Sequence, residues 1–170
     1  MFADDLKRLQ TLLSSSGGTP MDLPSGGRAA FKRTRSVSPA KLDELEKKMG
    51  RPLPVSYRQL LGHIGACELF VTAAGGLEVL DPFDIQQRFG EFFADPEEDL
   101  KRFLPVAIDE RLQEIVVFAL DRERDRNLLL MPHDTPPEDW EDVADELEAW
   151  STLEDWIAEV VALEGNMEPH

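Results

Sequence analysis

Apolar residues recur every three or four positions in four stretches of the chain, and this spacing predicts four amphipathic helices. The buried faces of these helices are Phe2 to Leu13, Leu42 to Met49, Val55 to Ile64 and Leu153 to Val161. Ser38-Pro39 is typical of a helix start, while Gly50 and Gly65 follow the last apolar positions of the two central helices. Ser151 is the predicted cap of the last helix, and a further short helix is predicted over Ile85, Phe89, Phe92 and Phe93.

Short apolar runs bounded by turn residues predict the strands. Two of them, separated by Thr72 to Gly76, predict a hairpin, and three more predict neighbouring antiparallel strands. The five runs are Leu69–Val71, Leu77–Leu80, Leu104–Ile108, Ile115–Ala119 and Leu128–Met131. The order of helices, strands and a closing helix predicts an α+β fold with a mainly antiparallel sheet of about five to six strands and helices packed around it.

The predicted domain begins after an N-terminal extension. Ser14 to Arg28 is rich in Ser, Gly and Pro and has no apolar period, so residues 1–37 are predicted to be a short helix plus a flexible linker. Residues 38–165 would form the domain and residues 166–170 a C-terminal tail. The basic cluster from Arg28 to Arg35 is most simply a solvated tail, with a phosphorylation site beside Ser36 and Ser38 or a contact with the acidic body as alternatives.

The charge of the chain bears on its partners. Eighteen Lys and Arg stand against 34 Asp and Glu, for a net charge of −16, which makes nucleic acid an improbable ligand. From Asp134 onward there are thirteen carboxylates and no Lys or Arg, so this end is either a solvated face or a docking face for a basic partner. The chain has no long apolar run and opens with an acidic segment, which predicts a cytoplasmic protein without membrane contact.

Candidate chemistry is sparse. Cys67 is the single cysteine and is expected to be a small buried residue rather than a nucleophile. His63 has no second ligand at helical spacing, and His133 is expected to make a surface hydrogen bond. No catalytic set, metal site or cofactor is therefore predicted.

Three segments, in order, resemble landmarks of the SUKH superfamily. Leu42 to Leu61 is similar to the family's opening, in which a helix leads to Gly, then Leu-Pro, then a second helix with an aromatic residue and a Leu pair. Glu78 to Ile85 resembles the strand that feeds a helix, and Ser151 to Ile157 resembles the closing helix. The resemblance covers Ser38 to about Leu163. It implies a protein-binding function, since the superfamily includes bacterial immunity proteins that neutralise toxins and a fungal cell-wall-synthesis regulator.

The resemblance suggests a role for the acidic charge in partner binding, because many such toxins have basic surfaces. The leading hypothesis is an immunity protein, without enzymatic activity, that binds a cognate toxin through an acidic interface. The predicted contact residues are Glu138, Asp139, Trp140, Glu141 and Asp142. Trp140 is either an aromatic anchor ringed by charge or a residue packed on its own sheet. Alternative functions are a regulatory adaptor, with the N-terminal helix as a tethered docking motif, and a small enzyme that acts on a cationic substrate.

Overall fold

The computed structural model describes residues 1–90, 93, 95–122 and 125–167. The elements of the N-terminal half are α1 (Phe2–Ser16), β1 (Met21–Asp22), β2 (Arg28–Arg35), α2 (Pro39–Met49), α3 (Val55–Ile64), β3 (Ala66–Thr72), β4 (Gly75–Val79) and α4 (Ile85–Phe89). The elements of the C-terminal half are α5 (Pro96–Arg102), β5 (Phe103–Asp109), β6 (Glu114–Ala119), β7 (Leu128–Pro132), a 3-10 turn (Pro137–Asp139), α6 (Trp140–Glu146), β8 (Trp150–Ser151) and α7 (Leu153–Ala162).

The strands form one antiparallel sheet, in which every strand lies beside its neighbours in the sequence. The predicted α+β class is confirmed, with eight strands rather than five to six. All six residues of β6 are buried. Because successive side chains of a strand point to opposite faces, the sheet is covered on both faces at its centre.

The predicted cap and glycine signals of the central helices are confirmed. The Ser38 side chain accepts a hydrogen bond from the Lys41 backbone N–H at 3.3 Å, and Pro39 is the first residue of α2. Gly50 ends this helix with a φ of 69°, a left-handed conformation that glycine adopts without steric cost. Leu53-Pro54 then restarts the chain as α3. The last helix differs in one detail, since Thr152 rather than Ser151 caps α7 and Ser151 lies in β8.

The N-terminal segment is more structured than predicted. Helix α1 is present, and its apolar stripe is buried against α3, α7 and β2. Within the predicted linker and basic cluster, Arg28–Arg35 forms a sheet strand with Ala29 and Phe31 in the core, and Arg35 pairs with Asp81 at 2.7 Å. The boundary predicted after residue 37 therefore divides segments that share one core. The mobility of Ser14 to Arg28 stays a prediction.

The predicted short helix and the predicted C-terminal tail each include residues outside the described part of the chain. Phe92, assigned to the short helix, is one such residue, and α4 ends at Phe89. In the predicted tail, residues 166 and 167 are described and Met167 is buried, while residues 168–170 lie outside the described part. No helix in the described ranges combines the length and the apolar character needed to cross a bilayer.

Candidate protein-binding surface

The acidic segment predicted to contact a partner folds as a 3-10 turn that continues directly into α6. Pro137 lies at the start of this turn and is buried, so the segment is fixed at its first residue. Helix α6 packs against β7. The carboxylates of the segment are consequently carried by regular structure that is attached to the sheet, rather than by a free loop. We use the term acidic surface for the carboxylates of this segment, which are Glu138, Asp139, Glu141, Asp142 and Asp145.

Trp140 lies beneath this surface and is 0% exposed. Its ring makes edge-on contacts with Phe93 and Phe103, with centroid distances of 5.8 and 5.0 Å. The indole Nε1 donates a hydrogen bond to the Thr135 carbonyl at 2.9 Å. Of the two interpretations of Trp140, the structure shows internal packing, and the buried indole presents no surface to a partner. A signal for this was Ala144, four residues later, which is buried on the same helix face.

The four predicted carboxylates have different surroundings. Glu138, Asp139 and Asp142 are exposed. Glu141 is partly covered and lies 3.3 Å from the Arg102 guanidinium, which also pairs with Asp121 at 3.1 Å. The four carboxylates thus lie on the 3-10 turn and the start of α6, with Arg102 beside Glu141.

A second cluster of side chains lies next to these carboxylates, and the sequence pattern did not predict it. The Asp145 carboxylate accepts a hydrogen bond from Trp150 Nε1 at 2.7 Å and lies 3.4 Å from the Arg122 guanidinium. Arg122 stacks over the Trp150 ring at 3.5 Å, within the range of a cation–π contact. Trp150 and Trp156 are both buried. The cluster fixes the C-terminal end of the acidic surface, and only the tertiary structure brings Arg122 to it.

The residues that could carry chemistry are not members of the acidic surface. Cys67 is buried in β3, and burial raises the pKa of its thiol to about 12, so the nucleophilic thiolate is disfavoured. His133 is exposed, and its Nδ1 lies 3.2 Å from the Gln113 carbonyl, which confirms the predicted surface hydrogen bond. His63 lies at the end of α3. Among the described residues, no three His, Cys, Asp or Glu side chains are grouped as metal ligands would be.

Comparison with known proteins places the chain in a family. Residues 36–159 match the model of the SMI1 / KNR4 family (SUKH-1). The chain is also similar to the immunity protein RhsIB of Dickeya dadantii (strain 3937), with 26% identity over 156 residues that cover 91% of each chain. The family model spans the chain from α2 to most of α7, while α1, β1 and β2 precede it, and the expected resemblance is confirmed. The chain belongs to the SMI1 / KNR4 (SUKH-1) family.

Proposed function

We propose that this protein is an immunity protein that binds a cognate protein toxin and blocks it. The similarity to an immunity protein over 91% of both chains carries this proposal, because it extends over most of the chain rather than one motif. The relative shares the N-terminal extension at least in part, since the similarity is longer than the family match. Toxin and immunity protein would meet in the cytoplasm.

Inhibition by contact, without turnover, is the mechanism that the side chains favour. A hydrolytic or transfer enzyme needs a nucleophile, a metal or a general base that converges with groups stabilising the transition state. Burial raises the pKa of the Cys67 thiol, and the two described histidines lie apart in the sequence, His63 in α3 and His133 in the turn after β7. The exposed carboxylates are suited to a different task, which is recognition of a positively charged protein surface.

The acidic surface is our candidate for the toxin contact. Charged groups around an interface increase the association rate and discriminate against wrong partners. Exposed Glu138, Asp139 and Asp142 are held on regular structure that Trp140 attaches to the core. Trp140 thereby acts as a positioning residue, and the direct contacts come from the carboxylates. A toxin with a basic surface around its substrate site fits this arrangement.

Titration of toxin activity tests the function. The product of the gene adjacent to this one is purified as the candidate toxin, and its activity is measured against increasing amounts of this chain. We expect loss of activity that is complete near one equivalent and a stable complex on gel filtration. A toxin that keeps full activity at excess chain contradicts the proposal.

Charge reversal tests the acidic surface. The variant carries lysine at Glu138, Asp139, Glu141 and Asp142, and we expect the association rate at low salt to fall by about tenfold or more, with a smaller change in dissociation. The difference should shrink as salt is added, since exposed charges are screened. The matched control reverses four exposed carboxylates elsewhere, which are Asp4, Asp22, Glu44 and Glu159. Equal association rates for the two variants would show that the contact lies on another face.

The adaptor hypothesis has less support from the structure. It required α1 to be a tethered docking motif that is free to bind elsewhere. Instead, Leu6, Leu9 and Leu13 are buried in the core. Arg8 also lies 3.4 Å from the Glu164 carboxylate near the C-terminus. Release of α1 would expose this apolar stripe to water, and that cost opposes a tethered role.

A further inference from the structure

A groove with a cavity volume of about 210 Å³ lies between α2, α4 and α5. Its floor is aliphatic and comes from all three helices and β5. The floor residues are Leu45, Ile85, Leu100 and Leu104. Helix α5 separates the groove from the acidic surface, because Lys101 lines the groove while the adjacent Arg102 contacts Glu141 of α6. A single partner can therefore contact the groove and the acidic surface together.

The rim of this groove has the opposite charge to the rest of the molecule. Lys48, Arg51 and Lys101 line it, against one carboxylate, Glu97. The whole chain has 34 carboxylates and 18 Lys and Arg, so a rim with three cations and one anion is a local inversion of the charge. Such a rim favours negatively charged groups next to whatever occupies the apolar floor.

The three cations of the rim differ in the hydrogen bonds and ion pairs that they make within the protein. The Arg51 guanidinium is fixed by two hydrogen bonds, to the Lys101 carbonyl at 3.0 Å and to the Leu120 carbonyl at 2.6 Å. Lys101 makes one exposed ion pair with Glu98 at 2.6 Å, and such pairs are weak. In the parts of the chain that the structure describes, Lys48 has no carboxylate within ion-pair distance. Lys48 is thus available to a partner's carboxylate.

We propose that this groove binds a segment of the cognate toxin that presents an apolar side chain flanked by carboxylates. This inference rests on the proposed function and adds the chemistry of a second contact. An apolar anchor in a preformed pocket is the arrangement that concentrates binding energy in protein interfaces. The toxin would then need a basic region for the acidic surface and an acidic, apolar segment for the groove. That combination fixes the orientation of the complex and excludes partners that have only a basic surface.

Charge reversal at the groove should change Kd in the direction opposite to that expected from long-range attraction. The variant K48E/K101E changes the net charge from −16 to −20, and so does the control K7E/K47E, whose lysines are exposed outside the groove. A basic toxin should be attracted slightly more strongly by both variants if only the overall field matters. Direct contact at the groove instead predicts a Kd that is about tenfold or more higher for K48E/K101E, chiefly through faster dissociation.

A second pair of variants tests the floor without changing charge. Gln86 is exposed and lines the groove, whereas the adjacent Gln87 is exposed and does not. We expect Gln86→Trp to fill the groove and weaken binding by about tenfold, and Gln87→Trp to leave Kd within about twofold. Thermal melting of each variant verifies that the fold is retained.

The probe is a catalytically inactive form of the candidate toxin, with rates measured by surface plasmon resonance. Weaker binding by K48E/K101E and Gln86→Trp, with unchanged or tighter binding by their controls, supports the groove contact. If the wild-type chain binds and the groove variants bind as their controls do, the groove inference is overturned and the proposed function stands. If the wild-type chain does not bind the toxin at all, the proposed function itself fails.

Discussion

Replacing Trp140 with alanine should remove a large part of the free energy of unfolding of this protein. The indole is 0% exposed and makes edge-on contacts with Phe93 at 5.8 Å and Phe103 at 5.0 Å. Deleting a buried aromatic side chain costs about 3–5 kcal/mol, which includes the cavity that remains. Each aromatic pair adds roughly 0.5–1.5 kcal/mol to the interaction. We therefore expect Trp140→Ala to lower the free energy of unfolding by about 4 kcal/mol, out of a total of about 5–15 for a typical domain.

Two further variants separate the origins of this loss. Trp140→Phe keeps an aromatic ring in the core but removes the hydrogen bond to the Thr135 carbonyl, and it should cost about 1–2 kcal/mol. Asp142→Ala, on the exposed side of the same helix, should change stability by less than about 0.5 kcal/mol. Urea denaturation followed by circular dichroism measures all three values.

A loss of less than about 1 kcal/mol for Trp140→Ala would refute the internal packing of this side chain, since deletion of a wholly buried indole costs more than that. If this variant does not fold, the comparison of Trp140→Phe with Asp142→Ala carries the test. Binding measurements add a second criterion. Because the indole touches no solvent, the toxin affinity of folded Trp140→Phe should match that of the wild type.

Three other predictions concern stability and access. Gly165→Ala should destabilise the fold by at least about 1 kcal/mol more than Gly17→Ala, as measured by thermal melting. Both glycines have positive φ, but a Cβ at Gly165 would lie 2.7 Å from Phe70, whereas a Cβ at Gly17 would meet nothing within 4 Å. Cys67 should resist iodoacetamide at pH 8 in the folded protein and react at the rate of an exposed thiol in urea; equal rates would refute its burial. Limited proteolysis should cut first between residues 14 and 28, and a first cut between residues 53 and 130 would contradict this. Glu164→Gln should accelerate the first cut, because the Glu164 carboxylate accepts a hydrogen bond from the Ser25 N–H at 3.1 Å.

Local signals in the sequence were sufficient for the elements that define the family. Ser38-Pro39, Gly50 and Leu53-Pro54 determine backbone conformation by their own chemistry, so α2 and α3 could be predicted with their ends. The strands at the centre of the sheet were also predictable, because β6 is buried on both faces and reads as a continuous apolar run.

The elements that were missed depend on tertiary contacts. Strand β2 contributes Ala29 and Phe31 to the core, but basic residues follow them and no apolar alternation marks the strand. Its backbone pairs with β3, and the Phe31 N–H is satisfied by the Ser16 hydroxyl at 2.8 Å, fifteen positions earlier in the chain. Such partners cannot be read from a local window, so the segment resembled a linker.

The candidate site was predictable in its charge but not in its geometry. The run of carboxylates around Trp140 is visible in the sequence, and three of them are exposed. Whether the indole faced solvent or the core depended on Phe93 and Phe103, which precede it by more than thirty residues. The groove beside α5 was missed for the same reason, because three separate helices bring its apolar floor and its cations together.

Protection of a living cell is the decisive property of an immunity protein. In a co-expression assay, the candidate toxin is induced in the same cytoplasm with and without this chain, and surviving colonies are counted. We expect full protection by the wild type and reduced protection by the variant with lysine at Glu138, Asp139, Glu141 and Asp142. Killing that is unaffected by equal expression of the folded wild-type chain would contradict the proposed function.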